Sequence, residues 1–307
     1  MNDRHLVVGA GAVGRHVAQL LAARGSQVVV ATRSGTDTGI DSVQHVALDA
    51  SDPDALSSAA AGAAVLYNCA NPADYTIWET VWPPLAAALL TAAERSGATL
   101  AITGNLYPYG PVDAPMVESM PDAATDHKGR LRARMWADAK SWHEAGRIRA
   151  VEVRGSDYMG TGVGSNGHIS RQVPGALRGR RAWMLGRTDV PHTFTDVLDV
   201  ARTLVAAAED ETAHGRTWHV PSNPAVSQTT ALTDVLSSVG APAVRTTAIP
   251  TIALRAMARV VPMMREIDEM SYQWTAPYVL DDSAARAHFG IEPTPWAEVC
   301  RRTAVLS

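Results

Sequence analysis

The sequence predicts an α/β fold, a doubly wound parallel sheet with helices on both faces. Three observations carry that reading. A short apolar run at the N-terminus leads into a glycine turn and then an amphipathic helix. Short β-branched runs then alternate with helical patterns as far as residue 153. From about residue 160 the rhythm gives way to glycine- and arginine-rich loops and helices broken by proline. Alternation at such short spacing implies right-handed crossovers and a single parallel sheet.

The N-terminal stretch holds the sharpest signal. Leu6, Val7 and Val8 form the apolar run that a strand covered on both faces needs. Gly9, Gly11 and Gly14 follow as G-x-G-x-x-G, and Val13, Val17, Leu20 and Leu21 recur at helical spacing. Each glycine has a task in a dinucleotide-binding turn. Gly9 permits the tight turn, Gly11 lets the backbone approach a pyrophosphate, and Gly14 lets helix and strand pack closely. Ala12 and Val13 open the helix with free N–H groups, and the helix dipole adds to their attraction for an anion.

A second strand is expected over 27–31, ending at Thr32-Arg33-Ser34, and a third over 43–48, closing on Asp49. Asp52-Pro53 starts a short alanine-rich helix, and residues 63–69 make a fourth strand that Asn71-Pro72 breaks. A long helix follows over about 78–96, with Trp82, Leu85, Leu89 and Ala93 on one face. Pro83 and Pro84 are expected near its first turns, where proline is tolerated. Residues 98–103 are the fifth strand, and 104–124, rich in Pro, Gly and Asp, read as an ordered active-site loop. Helix returns over 126–146, with Leu131, Met135, Ala139 and Trp142 on one side, and 148–153 is the sixth strand. Beyond the glycine-rich stretch 160–167 come Arg171, Arg178, Arg180, Arg181 and Arg187. Residues 193–201 open a helix, 217–221 read as a strand, and 222–275 are largely helical.

Bulk properties narrow the partners. The chain has 307 residues and a formal charge of −4, so no field gathers nucleic acid or an anionic membrane. No run of about 18 apolar residues stands ready to span a bilayer. The polar start leads straight into a strand, so no signal peptide is expected, and two distant cysteines, Cys69 and Cys300, fit a reducing cytoplasm. The histidines lack metal-ligand spacing, and no metal is expected. Of 27 basic residues only Lys128 and Lys140 are lysine, which makes the search for a catalytic lysine short.

Several separated motifs, in this order, resemble the short-chain dehydrogenase/reductase superfamily in its extended and atypical branches, the NAD-dependent epimerase/dehydratase family. They are the glycine turn, Asp49 after the third strand, Tyr107-Pro-Tyr-Gly110 and Val153-Arg-Gly-Ser-Asp-Tyr-Met-Gly160. His192-Thr-Phe-Thr-Asp-Val-Leu-Asp-Val-Ala201 and Asp281-Asp-Ser-Ala-Ala-Arg-Ala-His-Phe-Gly290 complete the series. The resemblance implies a Rossmann fold with a smaller, mostly C-terminal substrate-binding domain and a ligand cleft between them. On that basis the dinucleotide domain covers 1–165, rejoined by 192–220. The substrate region covers 166–191 and 221–280, and 281–307 form a C-terminal helical segment.

The dinucleotide fingerprint expects an acidic residue after the second strand if the ribose 2′-hydroxyl is to be held. Arg33 stands there instead, and its planar fork suits a phosphate. The expected cofactor is therefore NADP(H), with NAD(H) the alternative. The resemblance assigns Asp49 to the adenine amino group, against a competing role in capping the next helix, and Cys69, Ala70 and Asn71 to a turn beside the nicotinamide ribose.

Relatives use a Tyr-x-x-x-Lys pair at the start of the helix near 126–146, and this chain lacks it. Counting back from Arg154, Lys128 falls at the tyrosine place and Arg132 at the lysine place, one helical turn apart. Two readings stay open. In one, Lys128 is the proton donor, its pKa lowered by Arg132 and burial, while Arg132 contacts the ribose. In the other, both residues only hold a ligand, and Tyr107, Tyr109 or Tyr158 does the proton work. Thr103 and Asn105 compete for the residue that polarises the substrate oxygen. The arginines of 171–187 are candidates for an anionic substrate, although a solvated loop is the commoner role. Trp183, Trp218 and Trp274 are assigned to the core. The expected function is an NADP(H)-dependent oxidoreductase acting on a small-molecule carbonyl or alcohol. A nucleotide-sugar epimerase or dehydratase with retained NAD(P), and a non-catalytic NADP(H) sensor, are the alternatives. A homodimer is compatible with all three.

Overall fold

The computed structural model describes residues 3–72 and 74–305. Seven strands form one parallel sheet: β1 (Arg4–Val8), β2 (Gln27–Thr32), β3 (Val43–Ala47), β4 (Val65–Asn68), β5 (Thr99–Asn105), β6 (Arg149–Gly155) and β10 (Thr217–His219). Their spatial order is β10-β6-β5-β4-β1-β2-β3. The chain runs outward from β1 to β3, then crosses back to β4 on the other side of β1. That reversal opens a crevice at the carboxyl ends of β1 and β4, where open α/β sheets bind ligands.

Helices α1 (Ala12–Ala23), α2 (Pro53–Ala60), α3 (Trp78–Ser96), α4 (His127–Glu144) and α6 (Val197–Glu209) cover the two faces. One core layer sets Leu6, Val8 and Leu100 against Leu85, Leu89, Leu131 and Met135. The other sets Val7, Val30 and Val151 against Val17, Leu21, Val200 and Leu204. Adjacent strand residues thus feed opposite cores, which is why the strands read as continuous apolar runs.

One element differs from expectation, the stretch opening at Thr193, whereas Pro83 and Pro84 lie in the second turn of α3, near its first turns as expected. Both are exposed, so the carbonyls left without their N–H donors can take water. The stretch opening at Thr193 begins as strand β9 (Phe194–Asp196), paired in parallel with β7 (Asp157–Met159). Helix α6 starts only after Asp196, whose carboxylate caps it by accepting from the Leu198 N–H at 2.7 Å.

The remaining chain forms a smaller cap. It contains α5 (Val173–Ala176), β8 (Ala182–Met184), α7 (Gln228–Ser237), β11 (Thr246–Ala248), α8 (Thr251–Ala258), α9 (Pro262–Glu269) and α10 (Tyr272–Thr275). Helices α11 (Ser283–Phe289) and α12 (Trp296–Ala304) close the chain. Trp218 and Trp274 are buried as expected, but Trp183 is 51% exposed, correcting its core assignment. Its strand β8 has only β11 beside it, and its ring faces outward near Arg181.

Candidate functional site

A cavity of about 900 Å³ opens at the crevice and runs from the glycine turn to the cap. Its wall includes Gly9, Gly11, Ala12 and Val13, and Arg33, Asp49, Cys69, Ala70, Asn71 and Arg132 also line it. Gly9 adopts φ +101°, and a Cβ there would lie 2.8 Å from the Ala70 nitrogen. A Cβ on Gly14 would sit 2.0 Å from the Gly9 carbonyl oxygen, so this glycine serves helix–strand contact and stays off the cavity wall. Gly11 is the converse. A Cβ there meets nothing within 4 Å, so the space in front of its backbone is open. It is also the N-cap of α1, with no side-chain hydrogen bond to the first-turn N–H groups and no acidic residue among them. Open backbone donors facing a cavity fit the pyrophosphate of a dinucleotide.

Arg33 is exposed beyond β2 and makes no hydrogen bond or ion pair among the described residues. Asp49 is exposed across from it. Hydrogen bonds from Ser51 hold its carboxyl below the usual range, and Arg33 adds to that. The competing capping role falls to Asp52, which accepts from the Asp54 and Ala55 N–H groups at 2.9 and 3.1 Å. Cys69 is buried, and burial pushes its thiol up to about 12, so it is an inert wall residue.

At the inner end, β5 carries both oxygen-polarising candidates to the cavity. The Thr103 hydroxyl donates to Cys69 Sγ at 3.7 Å. Asn105 Oδ1 accepts from the Tyr107 N–H at 3.1 Å, which leaves its amide NH₂ to donate elsewhere. The Tyr107 and Tyr75 hydroxyls lie 3.0 Å apart, and both residues line the cavity. Burial raises the pKa of both, Tyr107 well above 10.0. Tyr158 lines the wall too, with its hydroxyl donating to the Gly104 carbonyl at 3.1 Å. Tyr109 does not. Its hydroxyl is sealed against His219 Nε2 at 2.8 Å, and its ring carries Arg154 at 4.8 Å.

Lys128 is the main correction. It lies outside the cavity wall, and its Nζ is clamped by Glu266 and by Glu269, the latter at 2.8 Å. Burial alone would lower its pKa, but the two carboxylates raise it above 10.5, opposite to the depressed value expected. Asp126, the N-cap of α4, accepts from the Gly129 N–H at 2.7 Å. The side chain of Lys128 leaves that first turn toward α9, passing 5.7 Å from the Tyr75 ring centroid. Arg132, one turn on, faces the cavity instead. Its Nη2 donates to the Thr103 carbonyl at 2.7 Å, its guanidinium lies 4.7 Å from the Trp82 ring, and its buried Nε has no partner. Burial lowers its pKa below the ordinary guanidinium value. None of Arg171, Arg178, Arg180, Arg181 and Arg187 lines the cavity.

Comparison with known proteins decides the family. The model of the NAD dependent epimerase/dehydratase family matches residues 5–220. The chain belongs to the NAD-dependent epimerase/dehydratase family. It is an NAD(P)-dependent enzyme of that family.

Solved structures of the same fold include a variant of UDP-glucuronic acid 4-epimerase from Bacillus cereus, in complex with UDP-4-deoxy-4-fluoro-glucuronic acid and NAD. It is 16% identical, with a TM-score of 0.79 and 98% of each chain covered. The dTDP-glucose 4,6-dehydratase of Bacillus anthracis, in complex with NAD, is 13% identical, with a TM-score of 0.79 over 98% of this chain and 95% of that one. A double mutant of the dTDP-glucose 4,6-dehydratase of Streptomyces venezuelae, with NAD bound, is 19% identical, with a TM-score of 0.74 over 97% and 96%. No curated protein matches the chain. Among the described residues no helix is long and apolar enough to cross a membrane.

This epimerase/dehydratase-family chain also carries wall residues that sequence reasoning did not single out: Tyr75, Asp157, Gln273 and Tyr278. Asp157 lies inside the Val153–Gly160 motif and could have been flagged as a carboxylate just past a strand end. Gln273 and Tyr278 come from the cap, where no local pattern marks which side chain turns inward.

Proposed function

We propose that the protein is an NADP(H)-dependent oxidoreductase that moves a hydride between the cofactor and the carbonyl or alcohol of a small molecule. Arg33 carries the reading. It is a free guanidinium on the cavity wall at the end of β2, where holding an unphosphorylated ribose calls for a carboxylate. Gly9, Gly11, Ala12 and Val13 hold the pyrophosphate, with Gly14 permitting the close helix contact behind them. Asp49 takes the adenine amino group, Cys69, Ala70 and Asn71 flank the nicotinamide ribose, and Arg132 faces it through its free Nε. Bound NADP(H) supplies or accepts hydride at C4 of its nicotinamide ring.

Asn105 polarises the substrate oxygen through Nδ2, its Oδ1 being occupied by the Tyr107 N–H, while Thr103 is committed to Cys69. Tyr107 gives the proton in reduction and takes it in oxidation, with Tyr75 as its relay at 3.0 Å. Residues 166–191 and 221–280 supply the substrate side of the cavity.

Loss of NADPH absorbance in the presence of a panel of aldehydes and ketones tests the reading. Net oxidation is expected, and Tyr107→Phe lowers kcat about a hundredfold without weakening NADPH binding. The family and its NAD-bound relatives favour a second reading, a nucleotide-sugar epimerase or dehydratase that retains its cofactor. Conversion of a nucleotide sugar with no net loss of NADPH would replace the first reading by the second.

A further inference from the structure

The end of the cavity toward the cap holds polar groups that the oxidoreductase reading leaves unused. Asp157, Gln273 and Tyr278 line it beside Tyr75 and Tyr107. Asp157 Oδ2 accepts from Trp274 Nε1 at 3.1 Å and lies 3.0 Å from His192 Nε2. His192 Nδ1 is 3.1 Å from the Gln273 carbonyl oxygen, which can only accept. The ring of His192 is thus held between two oxygens, one from Asp157 and one from the Gln273 main chain. Burial alone would raise the Asp157 pKa, but His192 holds it below the usual range. With Oδ2 engaged twice, Oδ1 has no partner among the described residues. Gln273 and Tyr278 are each 2% exposed, yet Gln273 Nε2 and the Tyr278 hydroxyl have no hydrogen-bond partner.

Interiors leave few polar groups unpaired, and here an acceptor, an amide donor and a hydroxyl share one cavity. An alcohol hydroxyl both donates and accepts, so neighbouring hydroxyls can satisfy Asp157 and Gln273 together, with Tyr278 meeting a third. A phosphate or carboxylate would instead face the Asp157 carboxylate. His192, which meets part of that charge from behind, is buried and does not line the cavity. Among the described residues the cationic side chains on the wall are Arg33, beyond β2, and Arg132, which is turned to the Thr103 carbonyl, while Asp49 and Asp74 add negative charge.

We propose that Asp157, Gln273 and Tyr278 select the substrate, and that the substrate is an uncharged carbonyl compound bearing adjacent hydroxyls, with neither phosphate nor carboxylate. This deepens the oxidoreductase reading and rests on it.

The test uses the full chain loaded with NADP⁺, loading being confirmed first by calorimetry. Saturation-transfer NMR and titration then follow xylitol, D-glucose, glucose 6-phosphate, gluconate and UDP-glucose. Xylitol and glucose are expected to bind, and the three anionic probes are not. Asp157→Asn weakens the neutral probes roughly ten- to a hundredfold and admits the anionic ones. Gln273→Met removes the amide donor while keeping the main-chain carbonyl that holds His192. It weakens the neutral probes about tenfold, and so tests the inference even if Asp157→Asn fails to fold. Anionic probes binding wild type as well as neutral ones, no neutral probe binding, or unchanged affinity in Gln273→Met overturns the inference. Failure to load NADP⁺ overturns the oxidoreductase reading beneath it, whereas a loaded protein that ignores neutral polyols overturns this inference alone.

Discussion

Gly11 and Gly14 stand three residues apart and answer substitution in opposite ways. Alanine at Gly14 drives a methyl group into the Gly9 carbonyl, 2.0 Å away, and the backbone of α1 must shift to admit it. Gly14→Ala is expected to cost about 1–3 kcal/mol in chemical denaturation. At Gly11 the methyl enters open space, so Gly11→Ala keeps the melting temperature and instead weakens nucleotide binding. Equal loss of stability in both variants would contradict this division. The Tyr107 hydroxyl makes a prediction of a different kind. Its pKa is raised by burial, so the protonated form is complete well past pH 10. Carbonyl reduction is therefore expected to show no loss of rate from tyrosine ionisation between pH 7 and 10. A falling limb near neutrality in a stopped-flow pH profile would assign the proton to another group.

Among elements, the junction of α4 and α9 shows best how a residue conspicuous in sequence can be held by partners that its neighbourhood in the chain does not reveal. Lys128 stands where a catalytic residue is expected, but its partners Glu266 and Glu269 lie some 140 residues along the chain, and no local pattern announces them. The pair fastens the cap to the dinucleotide half. Lys128→Met leaves two partly buried carboxylates facing each other, and it is expected to cost about 1–3 kcal/mol and to speed amide exchange over 262–269. Turnover of bound substrate stays of the same order as wild type; its abolition in a folded Lys128→Met protein would restore the catalytic assignment. The contact also has a pH window. The raised Lys128 pKa contributes stability below its ordinary value of 10.5, lost as pH rises through the folded value. The depressed Glu269 pKa contributes stability above its ordinary value of 4.5, lost as pH falls through the folded value. The cap is therefore expected to loosen first in acid, seen as faster exchange in α9 ahead of the sheet. The sheet was legible because most of its strands are short apolar runs closed within a residue or two by a turn-forming or polar residue, signals that act within a few residues. The start of α6 was misjudged because Phe194–Asp196 pairs with β7, a non-local partner that overrides helical periodicity.

Across the whole molecule, one cavity joins groups that the chain delivers from opposite ends. The glycine turn arrives within the first fifteen residues, Arg33 and Asp49 from the next two strands, and Gln273 and Tyr278 from the cap. The wall that the glycine turn gives to the cavity was readable because such a turn is written in a fixed short pattern. The substrate half was not, since its side chains converge only through tertiary packing. A ligand spanning both halves stabilises the folded state in proportion to the logarithm of its concentration over its dissociation constant. NADPH is accordingly expected to raise the melting temperature in a concentration-dependent way. The most direct test of the account is a calorimetric titration of NADPH and NADH into the wild type and into Arg33→Ala. NADPH is expected to bind the wild type about tenfold tighter than NADH or better, and Arg33→Ala to erase that preference. No heat with either nucleotide, or NADH binding the wild type more tightly, would contradict it.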